Sequence, residues 1–381
     1  MRILQINASY KPAYIYGGPT MSVAKLSEQL VQAGNEVTVY TTSANGDAEL
    51  PVISNTLAQI DGVNVIYFNR ITKDHSHLSP RLLVSLWKNA RHFDVIHVHA
   101  WWNLVSVLSA LIAVAKKIPL VISPRGTLSN YSFSYKNSVA KKLLHNLLGK
   151  HLLKCSSLHA TSAAEQKALL KIIKPIRIFN LPNFVKTANS SPKKIKSGPV
   201  FKLLFLSRID EKKGLDILLH ALPKLKTPYH LTIAGDGNED YITLLKNIAH
   251  YSLTSEHISW IGFQNDNKFN IFSDHQLLVL PSHNENFGNV VIESLSAGTP
   301  VLISEQVGLA DYIVENDLGW ICQTTPKSIS DSINTIAIDQ MDKLSDISLK
   351  APGIIHNDFD DDRLVQKYMD MYQQIIAHDR V

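Results

Sequence analysis

The sequence predicts an α/β chain folded as two doubly wound lobes, and three observations carry that prediction. Apolar runs of strand length alternate with segments of helical spacing through both halves of the chain. The alternation stops once, over residues 186–199, where Ser, Lys and Pro accumulate without an apolar period, and then restarts. A length of 381 residues is too great for one ordinary core, while an apolar content of 45% is that of a soluble globular protein.

In the first half, compact apolar runs predict strands over 3–7, 36–41, 94–99 and 119–123, and apolar residues at spacings of three and four predict helices over 21–33 and 104–116. The second half repeats the pattern, with strands over 201–206, 230–234, 257–260 and 277–280 and helices over 214–223, 241–250 and 287–297. Leu364, Val365, Tyr368, Met371 and Ile375 give residues 363–377 a final apolar stripe. The expected organisation is therefore a first lobe over 1–185, a linker over 186–199, a second lobe over 200–358 and a terminal helix over 360–381. Ligands of such sheets bind outside the carboxyl ends of the strands, so an active site is expected in a cleft between the lobes.

Composition excludes several classes. Cys155 and Cys322 are too few and too far apart for a disulfide framework or a zinc site. The longest apolar stretch, 104–115, is too short to span a bilayer. The chain opens directly on a strand rather than on a secretory signal, so a cytoplasmic location is expected. The formal net charge of +5 conceals a separation: residues 1–200 carry 24 Lys and Arg against 8 Asp and Glu, whereas residues 201–381 carry 14 against 25. Between residues 116 and 196 sixteen basic residues face one acid, Glu165, and the segment 139–153 interleaves leucines with Lys141, Lys142 and Lys150. That pattern suits an anionic membrane surface or a lipid diphosphate, and it equally suits a core-facing helix with a solvated basic side. No nucleic-acid motif accompanies the charge, so no nucleic-acid partner is expected.

The most informative segment is Pro281-Ser282-His283-Asn284-Glu285-Asn286-Phe287-Gly288-Asn289-Val290-Val291-Ile292-Glu293. It places one carboxylate in a strand-to-helix turn and a second in the helix, around a glycine that lets backbone approach a ligand. The free amides at the helix start favour an anionic group such as phosphate. A second charged turn, Ser207-Arg208-Ile209-Asp210-Glu211-Lys212-Lys213-Gly214, also follows a strand and precedes a helix. In the first lobe Tyr16-Gly17-Gly18-Pro19 and Asp94-Val95-Ile96-His97-Val98-His99 stand at strand ends. Gly235-Asp236-Gly237 continues into Asn238, so it lacks the third glycine of a dinucleotide fingerprint. The Asp pattern over 358–362 reads as a solvated helix start rather than as a metal site.

Glu285 and Glu293, followed by Gly298-Thr299-Pro300-Val301, resemble the signature of the retaining GT-B glycosyltransferases of family 4, the glycosyl transferases group 1: a Glu, seven residues, a second Glu, then Gly-x-Pro-Val. The resemblance covers nearly the whole chain and is strongest over 208–301. It implies two Rossmann-like lobes, with the last helix crossing back to the first. It implies transfer of a sugar from a nucleoside-diphosphate sugar to a glycan or lipid-diphosphate-linked acceptor in surface polysaccharide or lipopolysaccharide assembly, with retained configuration and no metal or other cofactor. In that setting Arg208 and Lys213 hold the diphosphate, Glu285 the donor sugar and Glu293 the ribose. Gly17, Gly18, Gly235, Gly262, Phe263, Phe287, Gly288, Asn289 and Val290 line the donor, His99 touches the donor sugar near its reacting carbon, and Arg125 and Gly126 of Ser123-Pro124-Arg125-Gly126-Thr127 meet the acceptor. His97 is expected to be structural. Phe184 stands where that family usually has glycine. The location implied is cytoplasmic, with peripheral contact at the inner face of the cell membrane. Two other functions share the pattern: a sugar-nucleotide epimerase of the same fold, which needs no acceptor, and a glycan-binding partner that has lost activity.

Overall fold

The computed structural model describes residues 1–128, 145–188, 198–264 and 267–379, and divides the chain into two compact units, Met1–Phe184 with Asp361–Val381 and Val185–Asp360. In the first unit the order is β1 (Arg2–Ile6), α1 (Gly18–Gln32), β2 (Glu36–Thr42), the short β3 (Ala44–Asn45) and β4 (Ala48–Glu49), β5 (Leu57–Ile60), β6 (Val63–Phe68), α2 (Pro80–Asn89), β7 (Val95–His99), α3 (Leu104–Ala115), β8 (Leu120–Ser123), α4 (Lys150–Lys154), β9 (Ser157–Ala160), α5 (Ala163–Ile172) and β10 (Arg177–Asn180). Its main sheet runs β10-β9-β8-β7-β1-β2-β6-β5 and is parallel except where β5 pairs with β6 at the edge.

The second unit continues with β11 (Phe201–Leu206), α6 (Leu215–Ala221), β12 (Tyr229–Ala234), α7 (Glu239–Tyr251), β13 (Ile258–Gly262), α8 (Lys268–Ser273), β14 (Leu277–Leu280), α9 (Asn289–Ser296), β15 (Val301–Ser304), α10 (Ala310–Glu315), β16 (Gly319–Cys322), α11 (Pro326–Asp339) and α12 (Met341–Asp358). Its parallel sheet runs β13-β12-β11-β14-β15-β16, the doubly wound order in which the chain reverses direction beside the first strand.

Strand parity sorts the cores. In the first unit Leu4, Ile6, Ile96, Val98, Leu120 and Ile122 pack on one side of the sheet, and Ile3, Val37, Val39, Val95 and Val121 on the other. In the second unit Leu203, Phe205, Leu277 and Val279 face one way and Leu204, Leu278 and Leu280 the other. Both faces of each sheet are covered, which is why these strands read as continuous apolar runs rather than alternating ones. The terminal helix α13 (Asp361–Asp379) belongs to the first unit and buries Tyr368, Met371, Tyr372 and Ile375 to 1% exposure or less in the second of its cores. Burial of such side chains contributes roughly 1.5–3 kcal/mol each. Phe184 lies 5.5 Å, ring to ring, from Tyr368, so the phenylalanine in place of glycine is a packing residue for this helix.

Of the 139–153 segment, residues 139–144 lie outside the described residues. In the remainder Leu152 and Leu153 are fully buried and Lys150 is exposed, the arrangement of a core-facing helix. Residues 189–197 of the expected linker lie outside the described residues.

Two glycines mark what the second unit demands of its backbone. Gly214 sits at φ +69°, and a Cβ there would meet the carbonyl oxygen of Pro281 at 2.2 Å. Gly353, inside α12, has nothing within 4 Å of its Cβ position. Gly214→Ala is therefore expected to destabilise the chain by roughly 1–3 kcal/mol, and Gly353→Ala to stabilise it by roughly 0.5–1 kcal/mol, both read from denaturant unfolding of the intact protein.

Candidate active site

In the second unit β11 and β14 are neighbours, and the loops after them carry the charged side chains. The two loops run in contact: the His283 amide donates to the Lys212 carbonyl at 2.9 Å, and Gly214 lets the Pro281 carbonyl approach. Asp210 caps the intervening turn by accepting from the Lys212 amide at 3.0 Å. The loop holding Glu285 is tied on its other side, where the Glu285 amide donates to Gln306 and its carbonyl accepts from Gly308. Lys213 Nζ then donates directly to Glu285 Oε2, with both side chains under one-fifth exposed.

Burial alone would raise the Glu285 carboxyl, but Lys213, with Lys212 and Arg208 behind it, holds it below the usual glutamate range. Burial lowers the Lys212 ammonium, Glu285 opposes that, and the like charges of Lys213 and Arg208 add to it. Arg208 is exposed, 4.0 Å from Asp210. Three cations around one carboxylate leave a positive site. Beside it Gly288, at φ +90°, is the N-cap of α9 without a side-chain cap. One turn into α9, Glu293 is paired with Lys268 at 2.7 Å, and both side chains are largely buried. The buried oxygens Ser282 Oγ and Asn284 Oδ1 have no hydrogen-bond partner among the described residues, as is common where a loop serves a ligand.

The remaining donor-side residues divide. Gly262 is at φ +69° with open space at its Cβ position, and Phe263 is 61% exposed. Gly235 instead lets the loop pass the Ser207 carbonyl, which a Cβ would meet at 1.9 Å, so its requirement is internal packing. The Phe287 ring is 2% exposed and packs on Phe359 in the core. Asn289 and Val290 are half-buried at the start of α9.

In the first unit one face of the sheet is polar where α13 covers it. Gln5, His97, His99, Ser123 and His159 all point there, because Gln5 registers with His97 and His99 with Ser123 on adjacent strands. All five are buried. Matching every donor to an acceptor gives their hydrogen bonds a single direction. Arg125 Nε donates to His99 Nδ1 at 3.2 Å and His99 Nε2 to Gln5 Oε1 at 2.7 Å. Gln5 Nε2 donates to the Tyr372 hydroxyl at 3.1 Å, which donates to His97 Nδ1 at 2.8 Å. His97 Nε2 donates to Ser123 Oγ at 2.6 Å, that hydroxyl to His159 Nδ1 at 2.5 Å, and His159 Nε2 to the Leu181 carbonyl at 2.9 Å. The three imidazoles of this network are neutral, in keeping with burial, which pushes His97 and His99 well below their ordinary range and His159 down to about 3.

The chain of bonds ends on Arg125, which stands at φ +52°, a conformation uncommon for a side-chain-bearing residue. Its Nη1 also donates to Ser22 Oγ at 2.8 Å and Asn183 Oδ1 at 2.7 Å. Glu165 braces the same turn by accepting from the Gly126 amide at 2.6 Å and the Thr161 amide at 2.8 Å. His99 is fully buried with both ring nitrogens engaged in its own unit, so it can meet a sugar hydroxyl only by releasing Gln5 or Arg125. Gly17, at φ +65° with open space at its Cβ position, caps α1 and precedes Gly18 at its first position.

The residues that sequence reading passed over are Gln5, Ser22, Ser123, His159, Asn183 and Tyr372 in the first unit and Lys268 in the second, each joined to a candidate residue of its own unit by contacts across long stretches of chain. Among the described residues no three His, Cys, Asp or Glu are grouped to hold a metal ion. In the 358–362 stretch Asp358 accepts from the Tyr312 hydroxyl and Asp361 pairs with Lys25.

The family model described as Glycosyl transferases group 1 matches residues 187–352, and the one described as Glycosyltransferase Family 4 matches residues 16–189. An uncharacterized glycosyltransferase of Methanocaldococcus jannaschii is 25% identical over 89% of this chain and 90% of its own. Among solved structures, the sucrose-phosphate synthase of Thermosynechococcus elongatus superposes with a TM-score of 0.78 at 16% identity, covering 99% of this chain and 100% of that one. HepE of Anabaena, determined in complex with UDP and glucose, gives 0.75 at 20% identity, with 98% and 100% covered. The fold is that of the GT-B enzymes.

The neutral histidines make stability depend on pH. Unfolding frees them to take protons below their ordinary value of 6.5, while the folded chain holds them neutral, so the unfolded state binds more protons there. Stability present above that value is lost as pH falls toward the folded value of about 3 for His159. His77, pushed down to about 4 by burial and Arg70, acts in the same sense. The expected slope approaches ~1.4 kcal/mol per pH unit for each such histidine. Denaturant unfolding between neutral and mildly acidic pH measures it, and His159→Gln should reduce it.

Proposed function

The chain belongs to the group 1, family 4 glycosyltransferases, whose two models together span residues 16–352, and we propose that it moves a hexosyl or related sugar from a nucleoside-diphosphate sugar to a carbohydrate or lipid-linked acceptor with retained anomeric configuration. The observation that carries this reading is the cluster of Arg208, Lys212 and Lys213 around Glu285 at the ends of two neighbouring strands. When the bond from the anomeric carbon to the diphosphate oxygen breaks, negative charge develops on the leaving group. Fixed cations and helix amides stabilise that charge without rearranging. Arg208 and Lys213 take this role, with the backbone at Gly288 and Asn289 beside them.

Arrival of a diphosphate gives Lys213 a second anionic partner and loosens its hold on Glu285, which turns to a hydroxyl of the donor sugar. Glu293, held by Lys268, takes the ribose hydroxyls. By the family resemblance, Gly17, Gly18, Gly262 and Phe263 are assigned to the donor, and Arg125 with Gly126 to the acceptor. His99 serves by orienting Arg125. The acceptor oxygen forms the new bond on the face the leaving group vacates, and its proton passes to a leaving-phosphate oxygen, so no covalent sugar–enzyme intermediate and no metal are required. The proposed setting is the assembly of a surface polysaccharide or lipopolysaccharide in the cytoplasm, with the basic first unit against the inner face of the membrane. No helix among the described residues is long and apolar enough to cross it.

A thermal-shift screen against UDP, GDP, ADP and TDP sugars without metal should give one stabilising donor, and Arg208→Ala should abolish the shift. With that donor, Arg208→Ala or Lys213→Ala should lower kcat by about 10²–10³-fold. Glu293→Gln should mainly raise the donor KM. Turnover that proceeds equally without any acceptor would overturn transfer in favour of epimerisation. An inverted product anomer would overturn retention.

A further inference from the structure

Helix α2 turns Leu82 and Leu86 into the core and leaves Arg81, Val84, Trp87 and Lys88 exposed. At about 3.6 residues per turn these four share the outward side of the helix. Val84 is 53% exposed and Trp87 51%, far more than large apolar side chains keep in a covered core. Beside α2 lies α3, whose twelve residues include no charge: Val105, Val107, Ala110 and Ala113 are buried, while Leu111 on its outward side is 37% exposed. Lys116, following α3, places its ammonium 3.8 Å from the centre of the Trp87 ring, joining the two helices into one surface. From residue 75 to 164 the one acid is Asp94, which is engaged by Arg2. Among the described residues Arg81, Lys88 and Lys116 enter no ion pair.

We propose that this α2–α3 face docks on an anionic lipid surface, with Val84, Trp87 and Leu111 entering the headgroup boundary and Arg81, Lys88 and Lys116 binding lipid phosphates around them. A tryptophan is suited to that boundary, having an apolar body and one polar edge, and the long basic side chains keep their stems on apolar surface while their charges reach phosphate. Charge complementarity selects this occupant. A second copy of the chain, docked by two-fold symmetry, would set Arg81 and Lys88 near their own counterparts with no acid to balance them. A nucleic acid would satisfy the cations but leave the apolar centre in water. The inference gives the membrane contact of the proposed function a location, yet it does not depend on the donor site.

The test is co-sedimentation of the intact protein with vesicles of phosphatidylcholine alone or mixed with phosphatidylglycerol. Binding is expected only to the mixed vesicles and should fall as salt is raised. Trp87→Ser should weaken it by at least ~10-fold, and Arg81→Glu with Lys88→Glu should abolish it. All three positions are exposed, so the thermal midpoint of each variant should match the parent, and donor-induced stabilisation should persist. Equal binding of parent and variants, or no binding of the parent, would overturn the proposal. So would a concentration-dependent dimer that Trp87→Ser dissolves, which would make the face a contact between copies.

Discussion

The ion pair between Lys213 and Glu285 is the contact on which the second unit's site depends. It exists because β11 and β14 are neighbours at the point where the sheet's strand order reverses, so the loops leaving their carboxyl ends run side by side. Gly214 permits the approach, the His283 to Lys212 hydrogen bond fixes it, and only then are Lys213 and Glu285 within reach of each other. One carboxylate restrains three cations. Without it, Lys212 and Lys213 would be half-buried like charges, with Arg208 nearby and no Glu285 carboxylate beside them. With it, the cluster is stable and still positive, which is the condition for receiving a diphosphate.

Much of this unit was legible from sequence because its determinants are local. Buried parallel strands are continuous apolar runs, and the turns after β11 and β14 advertise themselves by glycine and charge. The first unit's polar face was not legible. Gln5, Ser123, His159 and Tyr372 each look ordinary in their own segments, and they meet only through strand order, register and the return of α13. Parity along β7 does place His97 and His99 on one side, but nothing local says that a helix more than 260 residues later supplies the hydroxyl for one of them. The segment of His99 likewise shows a strand end and does not show that both its nitrogens are taken.

The direction in which an apolar helix faces is a second thing that sequence hides. The α3 pattern is apolar all round, so periodicity cannot separate its core side from its outward side. The 139–153 segment does have a visible basic stripe, and its described leucines turn inward. The visible basic stripe thus belongs to a helix whose described leucines pack inward, whereas the exposed Trp87 belongs to α2.

The two units hold their arginine and lysine cations by opposite means, and the difference has a physical consequence. Lys213 and Lys268 each face a carboxylate, so each pair is close to neutral and an incoming anion or hydroxyl must exchange with an existing partner. Arg125 is held by His99, Ser22 and Asn183, none of which is charged, so its positive charge is positioned without being cancelled by a direct partner. The histidines can serve that purpose only while neutral, since a protonated imidazole has no lone pair to offer the guanidinium and would repel it. Burial that keeps His99 neutral therefore also keeps Arg125 in place.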